Sequence, residues 1–135
     1  MRRLLFSIIG LAVCCGPSFG AGLTKDQARQ VAADTLAYIN KYRDLFADDA
    51  VMNQDALNKV FFSAPYNSLA HRWPAPFTDA ESDKYRGCNN LMVSALGYAH
   101  AQHEYAFKGL AERDVLPLRR RFKEDRKDCK SELSR

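Results

Sequence analysis

The chain has 135 residues, 47% of them hydrophobic and 27% charged, with a formal net charge of +4. That length suits one domain around a single core. So small a positive charge is no nucleic-acid footprint, which would show as a strongly basic patch on a domain of high pI.

The first residues, MRRLLFSIIGLAVCCGPSFGAG, read as a targeting segment. Arg2 and Arg3 form a basic start, Leu4 to Cys15 is an apolar run, and Gly16-Pro17 breaks it. Ser18 and Gly20 then place small residues at −3 and −1 before Ala21. This is the anatomy of a secretory signal peptide over residues 1–20, with cleavage before Ala21. The apolar run is too short to span a bilayer, which takes about 20 residues. Cys14 and Cys15 raise lipoprotein processing, but Val13 and Cys14 are poor residues to precede a lipidated cysteine. The expectation is a periplasmic or secreted protein, soluble and with no transmembrane segment once the signal is removed. The remainder, residues 21–135, forms one helical domain carrying 18 Lys and Arg against 16 Asp and Glu.

Thr24-Lys25-Asp26-Gln27 is a capping box, in which the threonine and the glutamine each satisfy a free backbone N–H. Ala28, Ala32, Thr35, Ile39, Tyr42 and Phe46 follow at helical spacing, giving one apolar face to about Asp48. Asn53 or Asp55 caps a short second helix through Leu57, Val60 and Phe61. Residues 63–77, SAPYNSLAHRWPAPF, contain three prolines and a Tyr-Asn-Ser turn signal. They read as a long connection rather than a helix.

Thr78-Asp79-Ala80-Glu81 is a second capping box and opens the longest helix. Its stripe is Tyr85, Cys88, Met92, Ala95, Ala99, His103, Ala106 and Leu110, and Gly109 is its stop. A last helix runs from about Val115, with Leu118, Phe122, Cys129 and Leu133 on its apolar face and Pro117 in its first turn. No strand is expected. The fold class is all-α: a small bundle of about four helices after the signal peptide, with one disulfide.

Cys88 and Cys129 are the cysteines left after the signal. An even pair in an exported chain reads as a disulfide. The bond constrains the last two helices. From Cys88 to Gly109 a helix rises about 32 Å, whereas Pro117 to Cys129 returns only about 18 Å. Residues 110–116 must make up the difference, or the long helix must break, with Gly97 as the place.

His100, His103 and Glu104, in the run HAQHE, look most like chemistry. His103 falls within the apolar stripe, so it reads as a buried neutral imidazole, with His100 at the boundary paired to Glu104. The metal alternative joins His100 and His103 to His71, since two imidazoles at i,i+3 can share an ion but need further ligands. The order H-x-x-H-E matches neither zinc-protease pattern. Asp125 lies on the apolar face of the last helix and needs a partner; Arg43 and His103 are candidates. Arg119, Arg120, Arg121, Lys123, Arg126, Lys127 and Lys130 are interleaved with acids. They read as a salt-bridged face over residues 119–130, open to weak contact with an anionic surface.

Two features point to binding. Gly87, Ser94, Gly97 and Ala101 form a small-residue face on the long helix, which packing against the first helix would also explain. The connection 63–77 carries Tyr66, His71, Arg72 and Trp73, residue types that dominate interface energies. Tyr66, Arg72 and part of Trp73 are expected to be exposed, and Phe77 packed. The functional expectation is a non-enzymatic exported protein, of inhibitor, immunity or envelope-accessory type. It would bind another protein of the cell envelope, with no cofactor and no nucleic acid. The alternative is a metal- or small-ligand-binding periplasmic protein using His100 and His103.

Overall fold

The computed structural model describes residues 22–135. The signal peptide expected over residues 1–20 lies outside the described residues. Those described form five α-helices and no strand: α1 (Lys25–Lys41), α2 (Gln54–Phe61), α3 (Ala64–His71), α4 (Arg86–Lys108) and α5 (Glu112–Leu133). Short 3-10 turns at Arg43–Phe46 and Ser82–Tyr85 extend α1 and precede α4. None of these helices is long and apolar enough to cross a membrane.

α4 and α5 form an antiparallel hairpin that carries the rest. α1 lies against both, α2 packs on α4, and α3 fills the space beside α1 and α2. Gly109 turns the hairpin at φ 73°, a left-handed conformation that costs glycine little. Leu110 N–H then reaches back to the Glu104 carbonyl at 3.2 Å, closing the helix end. At the far end Cys88 and Cys129 are joined, with Cα atoms 4.3 Å apart and both residues fully buried.

The disulfide fits because α5 begins at Glu112 rather than near Val115. The extra turn shortens the missing return, and α4 stays continuous through Gly97. Pro117 therefore sits inside the helix and not in its first turn. Glu112 and Asp114 favour the early start by placing negative charge on the positive end of the helix dipole.

The capping box at Thr24 forms as expected, with Gln27 N–H donating to Thr24 Oγ1 and Thr24 N–H to Gln27 Oε1. Asn53 accepts from Ala56 N–H at 2.8 Å and caps α2. The second box does not form. Asp79, one residue on from Thr78, is the capping side chain: its carboxylate accepts from Ser82 N–H and from Leu23 N–H, each at 2.7 Å. It shapes a 3-10 turn and ties down the start of the described chain. α4 itself begins only at Arg86. Its first N–H groups are satisfied from α5, where Glu132 accepts from Gly87 N–H at 2.9 Å and Cys88 N–H at 3.3 Å.

The core is aromatic at its centre. Phe46 stacks on Phe122 with ring centroids 4.8 Å apart, and Phe61 and Tyr98 close the cluster. Two residues expected on the buried stripes of the last two helices lie outside. Ala106 is exposed in the last turns of α4, where it lines a cleft, and Leu118 is 40% exposed because α5 turns Val115, Phe122, Asp125 and Cys129 inward instead.

Candidate functional site

The stretch 63–77 is not a long connection. Its first half is α3, with Pro65 in the first turn, where a missing N–H costs no hydrogen bond. The helix points Tyr66 and Leu69 inward. Tyr66 is 8% exposed and its hydroxyl donates to the Met92 carbonyl at 3.2 Å; burial pushes its phenol pKa up. Trp73 is 9% exposed, and its indole N–H donates to Thr35 Oγ1 at 3.0 Å. Both residues, expected at a binding surface, are part of the core.

Arg72 is partly exposed but engaged, its guanidinium 2.6 Å from Asp34. Burial raises the Asp34 carboxyl, yet hydrogen bonds from Arg72 and Gln30 outweigh it and hold the group below its ordinary range. His71 is exposed at the end of α3. Phe77, expected to pack, is the most exposed large apolar side chain among the described residues, with the Arg86 guanidinium 4.3 Å above its ring. Its φ of 64° is in the left-handed region, uncommon for a residue other than glycine.

His103 is buried, and its Nδ1 lies 3.0 Å from the Met52 carbonyl. That contact calls for an N–H on Nδ1 and anchors the 51–53 connection to α4. His100 is exposed and meets the Phe62 ring edge-on at 6.2 Å. The expected His100–Glu104 pair is absent, since Glu104 turns to Lys108 at 3.7 Å. Among the described residues no three His, Cys, Asp or Glu side chains are grouped to hold a metal ion, so His71 does not join His100 and His103 in one site.

Asp125 is buried and pairs with Arg121, one helical turn earlier, at 2.9 Å, rather than with Arg43 or His103. Much of the basic face is held internally in the same way. Arg119 donates to the Tyr98 hydroxyl, Lys123 binds Asp48, and Arg126 binds Asn40. The hydrogen bond from Lys123 keeps the Asp48 carboxyl below its usual range.

The small-residue face of α4 divides in two. Gly87 packs against α5, not α1: a Cβ there would stand 2.8 Å from Asp128 Cβ and from the Cys129 nitrogen. Gly97 has open space around it. With Val93, Ser94 and Leu118 it lines a shallow groove of about 300 Å³ between α4 and α5.

The more developed surface surrounds the C-terminal end of α4. Tyr105 and Phe107 project there, with Val51 from the connection before α2, and all three are more than half exposed. They line one cleft of about 490 Å³ together with Asp48, Asp49, Gln102 and Arg119. Phe107 also packs on the His103 ring at 5.1 Å, and exposed Phe62 stands beside His100. The HAQHE run thus supports an aromatic surface from beneath.

The sequence signal for this surface was available but masked. Tyr105 and Phe107 flank the stripe residue Ala106 as extra apolar residues off the stripe, two to four positions before Gly109. Comparison with protein-family models, with curated proteins and with solved structures gave no match.

Proposed function

We propose that this chain is a small exported, non-enzymatic protein that binds another protein of the cell envelope through the apolar end of α4. The observation that carries the reading is the exposure of Val51, Tyr105 and Phe107 around one cleft, with exposed Phe62 beside His100 as a further apolar residue. Single exposed apolar residues need no explanation, whereas a group of them, rimmed by charge, marks an interaction site. Tyrosine and phenylalanine are enriched at such sites because they bury large area with few rotatable bonds.

Export is supported by the N-terminal pattern of basic, apolar and small residues. The buried Cys88–Cys129 disulfide fits an oxidising compartment. Neither histidine favours catalysis. His103 is committed to a backbone carbonyl, and Glu104, the nearest acid in sequence, is paired with a lysine. The engaged arginines and lysines of α5 leave only weak attraction for an anionic surface.

A photo-crosslinking residue placed at position 105, with a control at position 93 on the α4–α5 groove, tests the surface in the exporting cell. A discrete protein adduct from position 105, absent from position 93, is the expected result. Adducts from position 93 alone would move the binding face to the groove. No adduct from either would contradict the reading.

A further inference from the structure

At the disulfide end of the α4–α5 hairpin, where α1 begins and α5 ends, Lys25, Arg29, Lys84, Tyr85, Glu132 and Arg135 line a recess of about 370 Å³. Its side chains are mostly cationic. Glu132 is the acid among them, and its two oxygens already accept from the Gly87 and Cys88 N–H groups. Lys84 is held by Glu81, and Arg29 spends one N–H on the Leu133 carbonyl. Lys25 is exposed and forms no ion pair among the described residues. Cations gathered in a recess attract an anion. Tyr85 supplies a second, independent observation. It is 6% exposed, yet its hydroxyl has no hydrogen-bond partner among the described residues. That oxygen is still open to solvent, since it is not one of the unpartnered side-chain atoms sealed inside the protein. The other two buried tyrosines commit theirs, Tyr66 to the Met92 carbonyl and Tyr98 to Arg119. A buried ring normally finds a partner for its hydroxyl; that of Tyr85 is fixed in place, accessible and unused.

We infer that this pocket binds a phosphate monoester, with Lys25 and Arg29 neutralising its charge and the Tyr85 hydroxyl donating to a phosphate oxygen. A phosphate monoester carries up to two negative charges near pH 7 and offers only acceptors to its surroundings once ionised. Arg29 keeps further N–H donors in the planar fork that matches phosphate, and the Lys25 ammonium brings three more. The volume, about 370 Å³, is within the range of small-ligand sites. The site is separate from the proposed protein-binding surface, which lies at the turn end of the hairpin. The same phosphate chemistry comes from a soluble ester or from the headgroup of phosphatidic acid in a membrane.

Isotope-edited NMR of the whole secreted protein, at fixed ionic strength, tests it. The probes are glycerol 3-phosphate for the soluble ester and vesicles of phosphatidic acid in phosphatidylcholine for the headgroup. Acetate, and vesicles holding phosphatidylglycerol at equal charge, are the anionic controls. Saturable changes at Lys25, Arg29 and Tyr85 are expected with one or both phosphate monoesters, and the tighter of the two identifies the source. Each control should bind at least about tenfold more weakly than its phosphate monoester. Tyr85→Phe keeps the ring and removes no hydrogen bond within the protein, so the fold should stand. It should weaken phosphate binding about tenfold, the loss of one hydrogen bond to a charged group. Lys25→Gln, at an exposed position, should also weaken it several-fold. Arg120→Gln, which removes an exposed cation of α5 outside the pocket, should leave it unchanged. Binding of the controls as tight as that of the phosphate monoesters would overturn the assignment, as would an Arg120→Gln effect equal to that of Lys25→Gln. So would wild-type binding by Tyr85→Phe, or no saturable change with either phosphate monoester.

Discussion

Trp73 shows how one residue can carry the sequence-level signal for a binding site and serve the core instead. Its indole N–H finds Thr35 Oγ1, a hydroxyl that itself donates to the Val31 carbonyl within α1. Burial of a large aromatic ring with its polar atom satisfied is a stabilising arrangement. Trp73→Ala should cost about 3–5 kcal/mol, read as a lower denaturant midpoint. Emission from the single tryptophan should be blue-shifted and shielded from a polar quencher. Thr35→Val keeps the shape but strands the indole N–H, so about 1–3 kcal/mol should be lost. A Trp73→Ala protein as stable as wild type would place the ring at the surface.

Asp79 makes a prediction in pH. The backbone N–H of Ser82 is the main cause holding its carboxyl below the usual range, with Leu23 N–H adding to it against a raising effect of desolvation. The folded carboxyl is the stronger acid, so on acidification the unfolded chain takes up the proton first. Its contribution is complete above the unfolded value of about 3.9, and is lost as pH falls through the depressed folded value. Asp79→Asn should flatten the acid limb of the stability curve below about pH 4. An unchanged acid limb would show that the capping carboxylate is not perturbed.

At the scale of elements, α4 and α5 make opposite demands on two glycines that look alike in sequence. Gly87 lies where the α5 backbone comes close, beside the disulfide, and an added methyl would meet it. Gly87→Ala should destabilise by about 1–3 kcal/mol. Gly97 sits in mid-helix with nothing near it, and Gly97→Ala should stabilise by about 0.5–1 kcal/mol through better helix propensity. Thermal unfolding of the two variants should move in opposite directions. Movement in the same direction would mean that the hairpin packs differently.

How far the elements were legible follows from the range of the interactions that define them. Thr24-Gln27, Asn53 and Gly109 act within one turn, and each is where the local pattern puts it. The apolar periods of α1 and α2 were legible for the same reason. The beginning of α4 was not, because its N–H groups are satisfied by Glu132, 45 positions along the chain from Gly87. α3 was hidden by prolines, although Pro65 belongs to a first turn and Pro74 and Pro76 follow the helix. The site was less legible than the fold. Aromatic residues carry the same sequence signal whether they face the core or a partner. Only the packing of α3 against α1 and α2 separates buried Tyr66 and Trp73 from exposed Tyr105 and Phe107.

For the whole molecule, the disulfide and the α4–α5 hairpin act together. The bond closes a 41-residue separation between the open ends of the hairpin, away from the turn at Gly109. On the chain-entropy account its removal in a Cys88→Ala, Cys129→Ala double variant should cost about 4 kcal/mol. The surface at the turn end should then remain folded only while the hairpin does. Its aromatic residues gain rigidity from anchors on both sides. Gln102 holds the Ala47 and Ala50 carbonyls, His103 holds Met52, and Arg119 joins Tyr98 to the Asp48 backbone. A surface held in place loses less entropy on binding than one that must be ordered first.

The measurement that tests the central claim most directly is affinity for the protein crosslinked from position 105, compared across two surface double variants. Tyr105→Ser with Phe107→Ser alters the end of α4, and Val93→Ser with Leu118→Ser alters the α4–α5 groove. All four positions are at least 40% exposed, so both proteins should keep wild-type stability within about 0.5 kcal/mol. The first should lose at least about 2 kcal/mol of binding energy, roughly thirtyfold in Kd, while the second binds as wild type. Loss in the groove variant with none in the α4-end variant would contradict the account.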